Sequence, residues 1–252
     1  MKQFSSFKRH YKNIRFLYRA GTPLWIILAY LSTNRTIGKQ GSLPKFVKQK
    51  KLFLSEKENL TLNNDWFSNN ITIWLAVFDA LDIQSNTQLK ALEIGSWQGL
   101  SAYFILHHFR NAELTCVDTW LGADEHQAGK FSTKEVLNNI ETCFDKNLAP
   151  FNGRFNKYKG TSLSYFTDAD TSVEYELIYV DGSHYCDDVL IDALKSFSHL
   201  KSKGLLIFDD YLWHYYKEEK DNPIGAINTF LSLKRGQYDL ISVGYQLILQ
   251  KR

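Results

Sequence analysis

Four polar residues in the second half of the chain carry its first chemical signal. Asp181 and His184 stand in YELIYVDGSHY, and Asp209 and Asp210 in GLLIFDDY. In both segments a short apolar run stops abruptly at acids, the pattern of a buried strand that ends at a functional edge. Three carboxylates brought to neighbouring strand ends repel one another unless a cation sits among them. Oxygen ligands suit Mg²⁺, which lowers the pKa of a bound hydroxyl and orients its oxygen. Asp181, Asp209 and Asp210 are therefore the metal candidates. The plainer reading is that the Asp209–Asp210 pair caps its strand with no metal. His184, with Asp181 as its catalytic partner, is either the base that takes a hydroxyl proton near neutral pH or a structural residue of the turn.

A second constellation lies upstream, in the stretch Glu93-Ile94-Gly95-Ser96-Trp97-Gln98-Gly99-Leu100-Ser101. Gly95 permits a tight turn and Gly99 a close approach at a helix start. A dinucleotide-binding loop places another glycine between these two, so that backbone touches the pyrophosphate. Here that space holds Ser96, Trp97 and Gln98, which argues against NAD and for a ligand without a diphosphate. S-adenosylmethionine is such a ligand. Asp118 ends the next strand in CVDTW, where an acid is placed to accept ribose hydroxyls. Gly160-Thr161-Ser162 follows the third strand and suits an adenine edge. The opposing reading is that Glu93 and Asp118 are only strand-end carboxylates.

The elements needed to position these groups are present in order. Apolar strands are predicted over residues 89–94, 113–117, 155–159, 176–180 and 204–208. Helices are predicted over 64–81, 101–109, 189–200 and 226–233, and a closing antiparallel pair over 240–243 and 246–250. Strands alternating with helices give an α/β fold with a mostly parallel sheet covered on both faces. Ligands on such sheets bind at the carboxyl ends of the strands, where every polar cluster above falls.

EIGSWQGLSA resembles the first motif of class I methyltransferases, and within them the catechol O-methyltransferase-like pattern E-x-G-x-x-x-G-x-S. The segment YELIYVDGSHYCDDVLIDALKSFSHLKSKGLLIFDDY is similar to the second half of a bacterial methyltransferase family associated with glycan and natural-product gene clusters. The resemblance covers roughly residues 64–250. It implies a Rossmann-like methyltransferase fold with S-adenosylmethionine as cofactor. By it, Glu93 and Gly95 border the methionine part and Ser101 touches its carboxylate, with Ser96, Trp97 and Gly99 in the same cofactor site. Asp118 would hold the ribose, and Thr161, Ser162 and Asp181 complete the cofactor site. It also implies metal-assisted methylation of a hydroxyl on a saccharide or small natural product. A nicotinamide-dependent oxidoreductase is one alternative, disfavoured by Trp97. A non-catalytic nucleotide-binding or membrane-associated module of the same fold is the other.

Residues 1–60 match nothing in that family and form a basic N-terminal extension to the domain of residues 61–252. The first acidic residue of the chain is Glu56, although the formal net charge is only +3. That charge is too small to argue for nucleic acid. PLWIILAYL, the one membrane-like stretch, is too short to span a bilayer. Residues 7–32 are expected to form a helix packed on the domain, on a second subunit in a homo-oligomer, or on an anionic membrane surface. Three widely spaced cysteines, Cys116, Cys143 and Cys186, fit a reducing, cytoplasmic setting and no disulfide framework. The loop over residues 122–131 reads mainly as solvated, with a substrate lid carrying His126 as the alternative.

Overall fold

A computed structural model describes residues 2–168 and 172–252, with side chains from residue 8 onward. Residue 1 of the extension and the side chain of residue 7 lie outside the described residues. The extension folds into α1 (Lys2–Arg19), α2 (Leu24–Thr33), a π-helical turn (Asn34–Gly38) and α3 (Pro44–Lys57). Then follow α4 (Ile71–Ala80), β1 (Gln88–Ile94), α5 (Leu100–His108), β2 (Asn111–Asp118), α6 (Asp124–Gln127) and α7 (Lys134–Leu148). The second half runs β3 (Phe155–Lys159), α8 (Ser162–Asp168), β4 (Tyr175–Val180), α9 (Cys186–Ser198), β5 (Leu200–Phe208), α10 (Pro223–Leu233), β6 (Tyr238–Val243) and β7 (Leu247–Lys251).

The seven strands form one sheet in the order β3-β2-β1-β4-β5-β7-β6. β1 to β5 pair in parallel, and β7 pairs antiparallel with both β5 and β6. This is a Rossmann-like methyltransferase fold. The central strands are apolar almost throughout because helices cover both of their faces. Leu177, Tyr179, Leu205 and Ile207 turn to one core layer, and Ile178, Val180, Leu206 and Phe208 to the other. The strand order reverses between β1 and β4, and there the crevice for a ligand opens.

The extension is a packing element. Leu17, Ile26, Ile27 and Tyr30 are buried in the core layer that also holds Val243 and Leu247. Thr33 Oγ1 accepts from the Val243 amide at 3.0 Å, and Asn34 Nδ2 donates to the Val243 carbonyl at 2.9 Å. Both backbone groups of Val243 are thereby satisfied at the sheet's last strand, which closes an otherwise open edge. The apolar stripe of α2 thus faces the protein, although Leu24 and Leu28 remain exposed. No helix among the described residues is long and apolar enough to cross a membrane.

One sequence expectation changes. The helix expected over residues 64–81 begins at Ile71. Asp65 Oδ1 accepts from the Ser68 amide at 2.8 Å, and this side-chain turn replaces the first helical turns. Phe67 still reaches the core, whereas Trp66 is 45% exposed.

Candidate active site

The turn after β1 is held by backbone contacts that only glycine allows. Gly95 has φ +84°, and a Cβ there would lie 1.9 Å from the Asp181 carbonyl oxygen. Gly99 has φ +82° and starts α5, with Leu148 2.4 Å from where its Cβ would be. Trp97, at φ +46°, bears strain that neighbouring contacts must offset. Gln98 is fully buried and locked to Asn63: Nε2 donates to Asn63 Oδ1 at 2.6 Å, and Oε1 accepts from the Asn63 amide at 2.8 Å.

Asp118 does more than end β2. Its Oδ2 accepts from the amides of Ser96 (2.7 Å) and Trp97 (2.8 Å), and its Oδ1 accepts from the Trp120 amide at 2.6 Å. One carboxylate therefore staples the Gly95 turn to the loop after β2. Glu93 is completely buried beneath this turn and accepts from Ser96 Oγ at 2.5 Å. Burial raises its carboxyl to about 7 against the lowering effect of Ser101 and Ser96, with help from the charges of Asp181 and Asp118. Its Oε1 has no partner within the protein.

β4 and β5 bring the acids together, but in two separate groups. Asp181, His184 and Asp210 each offer one ligand atom, all within 4.8 Å of one another. Asp209 does not join them. Its Oδ2 accepts from the Tyr179 hydroxyl and from Gln246 Nε2 at 3.1 Å, and its Oδ1 from the Asp210 amide at 2.8 Å. The sequence expectation named Asp209 as a metal ligand, and here it stands outside the group of three. β5 ends at Phe208 and Asp210 takes a φ of +56°, and the two adjacent side chains take different partners.

His184 is gripped at both ring nitrogens. Nδ1 meets Glu125 Oε1, and Nε2 lies 2.7 Å from Asp210 Oδ2, off the line of a straight hydrogen bond, and 3.9 Å from Asp181 Oδ1. Burial disfavours the charged ring, yet the carboxylates of Asp181, Asp210 and Glu125 outweigh it and hold its pKa well above the ordinary imidazole value. An imidazolium has no lone pair for a substrate proton, which counts against His184 as the base in this state. Asp181 is instead the part-exposed member, and burial with the Asp210 charge lifts its carboxyl to about 6 while His184 opposes the rise.

Gly95, Ser96, Trp97, Asp118, Glu125, Asp181, His184, Asp209 and Asp210 line one cleft of about 1320 Å³, together with Thr161, Ser162 and Trp213, while Glu93 and Gly99 lie behind its lining. The loop over residues 122–131 is not simply solvated. It forms α6, whose Glu125 and His126 are buried, and His126 joins Trp66 and Trp97 in a three-ring cluster with centroids 5.2, 4.7 and 5.3 Å apart. Of the residues after Asp210, Trp213 packs on His184 at 4.8 Å, Tyr211 is buried and donates to Asn228 Oδ1, and His214 packs on Phe16.

A family model described as a methyltransferase domain matches residues 92–211, from β1 through the acids that follow β5. Those residues form a methyltransferase domain. Solved structures share its fold. An O-methyltransferase from Bacillus cereus, in complex with SAH, superposes with a TM-score of 0.52 at 11% identity, over 83% of this chain and 92% of that one. MycE, a methyltransferase of the mycinamycin biosynthetic pathway in complex with Mg and SAH, gives 0.53 at 16%, over 82% of this chain and 55% of that one. The O-methyltransferase NovP gives 0.53 at 15%, over 75% and 83%. No curated protein sequence matches the chain.

The methyltransferase also places in its cleft residues that sequence reasoning missed. Asp192 of α9 is buried beside Ser162, its Oδ1 unpartnered and its carboxyl raised to about 7 by burial, against the Ser162 hydrogen bond. It stands on the buried stripe Val189, Asp192, Ala193, Ser196, Phe197, where a lone acid at helical spacing was the available signal. Glu125 and Tyr245, which hold His184 and Asp210, carry no such signal.

Proposed function

We propose that the methyltransferase moves a methyl group from S-adenosylmethionine to a hydroxyl oxygen of a saccharide or small natural product. The observation that carries this reading is the backbone contact between Gly95 and Asp181. It sets the donor turn directly beside Asp181, a part-exposed carboxylate of the cleft whose pKa is raised. The donor fits the residues present. Glu93 Oε1 is a buried acceptor with no protein partner, suited to a cationic amino group. Gly95, Ser96, Trp97, Gly99 and Ser101 would surround the methionine part, and Thr161 and Ser162 the adenine. Asp118 has one oxygen committed twice and the other once, so its free acceptor capacity toward a ribose lies on Oδ1.

S-adenosylmethionine supplies an electrophilic methyl on a sulfonium, and the displacement needs alignment and removal of the acceptor proton. Asp181, with a carboxyl near 6, takes that proton around neutral pH. His184 positions Asp210 and Glu125 by charge and stays protonated.

A divalent ion is a second element of this reading, favoured by the donor set. Asp181 and Asp210 present two carboxylates, and with Glu125 three acids surround the single His184 imidazolium, leaving the cluster short of positive charge. Mg²⁺ there would lower the pKa of a substrate hydroxyl. Thermal-shift measurements with S-adenosylhomocysteine, NAD and Mg²⁺ test the scheme. Stabilisation by S-adenosylhomocysteine alone or with Mg²⁺ supports it, and stabilisation by NAD in its place overturns it.

A further inference from the structure

The cleft is lined by charges of both signs, and the two signs come from different parts of the chain. Its lining acids, among them Asp118, Glu125, Asp181 and Asp210, all come from residues 65–210. The only lysine and arginine that line it, Arg9 and Lys39, both come from the N-terminal extension. Neither makes an ion pair among the described residues. The helix that carries Arg9 is fixed in place: Tyr30, buried on α2, contacts His10 Nδ1 at 2.7 Å through its hydroxyl and accepts from Asn13 Nδ2 at 3.1 Å. Unpaired cations held on the wall of a concave surface select an anion.

The same cleft is also lined by side chains of another kind. Asn64, Asn69 and Asn70 contribute neutral amides, and Trp66 an exposed indole face. Amides exchange hydrogen bonds with hydroxyls in both directions, and an indole face stacks on the C–H side of a sugar ring. We infer that the acceptor is an anionic saccharide, bearing a phosphate or carboxylate that Arg9 and Lys39 hold while a ring hydroxyl reaches Asp181. This rests on the proposed methyl transfer to a hydroxyl and names the acceptor's class. The extension would then be the specificity element of the enzyme, remote from the donor turn.

Calorimetry on the full chain loaded with S-adenosylhomocysteine tests this, with glucose 1-phosphate, glucuronate, pyrophosphate and methyl glucoside as probes. At least one anionic probe should bind at least tenfold more tightly than methyl glucoside. The preference should weaken with added salt. It should vanish in R9Q/K39Q and fall partway in each single variant, with affinity for S-adenosylhomocysteine and Tm unchanged. No binding by any anionic probe, or a preference that survives in R9Q/K39Q, overturns the inference. So does a double variant that keeps its sugar binding but loses co-sedimentation with phosphatidylglycerol vesicles, which would assign Arg9 and Lys39 to a lipid surface. Failure of the wild-type chain to bind S-adenosylhomocysteine would instead strike the donor reading, and is seen before any sugar is added.

Discussion

Gly95 and Asp181 meet backbone to backbone, with no room between the α-carbon of one and the carbonyl of the other for a methyl group. G95A therefore forces β1 and β4 apart at their ends, and its φ of +84° adds strain. A loss of about 4 kcal/mol, or roughly 10 °C in Tm, is expected. G99A meets the flexible end of Leu148 instead and should cost about 1–2 kcal/mol. Equal melting temperatures for the two variants would contradict this ordering.

Asp118 joins two loops through three amides, so D118A should act on stability and ligand together. Three backbone donors lose a charged acceptor, at a cost of about 2–4 kcal/mol. Affinity for S-adenosylhomocysteine should drop at least tenfold by calorimetry. If Tm is untouched while affinity falls, Asp118 serves the ligand alone.

Glu93 links stability to pH. The folded state keeps a proton that the unfolded chain has already released, so stability falls as pH rises from about 4.5 to about 7. The full effect is about 3 kcal/mol. E93Q removes the charge and should flatten the decline in Tm between pH 5 and pH 8. Asp192, titrating over much the same window, should leave part of the slope. An E93Q slope as steep as that of the wild type would mean that the buried carboxyl is not ionising there.

The two adjacent acids after β5 should behave differently toward metal. D210N removes an oxygen that faces Asp181 and His184. It should weaken Mn²⁺ binding by tenfold or more in a calorimetric titration. D209N alters an oxygen turned toward Tyr179 and Gln246, and Mn²⁺ affinity should stay within about twofold. Turnover on an acceptor, once one is found, should fall in excess EDTA and return with Mg²⁺. The reverse ranking of the two variants would place the ion on Asp209.

Much of this was legible in the chain itself. The apolar runs before Glu93, Asp118, Asp181 and Asp209 mark strands because parallel strands buried on both faces need no polar alternation. Glycine and acid spacing then locates the cleft. Other features were hidden by distance. Nothing local to GADEHQAGK shows that Glu125 packs against a histidine 59 residues later. Trp66 and Phe67 match helical spacing, yet Asp65 diverts that stretch into a turn through a single side-chain bond. Which of Asp209 and Asp210 joins Asp181 and His184 depends on the backbone at Asp210, whose φ of +56° composition does not reveal.

Thr33 and Asn34 bind the two backbone groups of Val243, 210 and 209 residues later in the chain. During synthesis the extension leaves the ribosome well before β6 and must wait for that strand before its buried face finds a partner. Loop closure over such a span is slow, and Leu17, Ile26 and Tyr30 stay uncovered meanwhile. The helices that complete the cleft are thus made long before the strand on which they dock. A chain stopped short of β6 would leave them without their seat, so nascent molecules pass through a stage that has the donor turn but no acceptor wall.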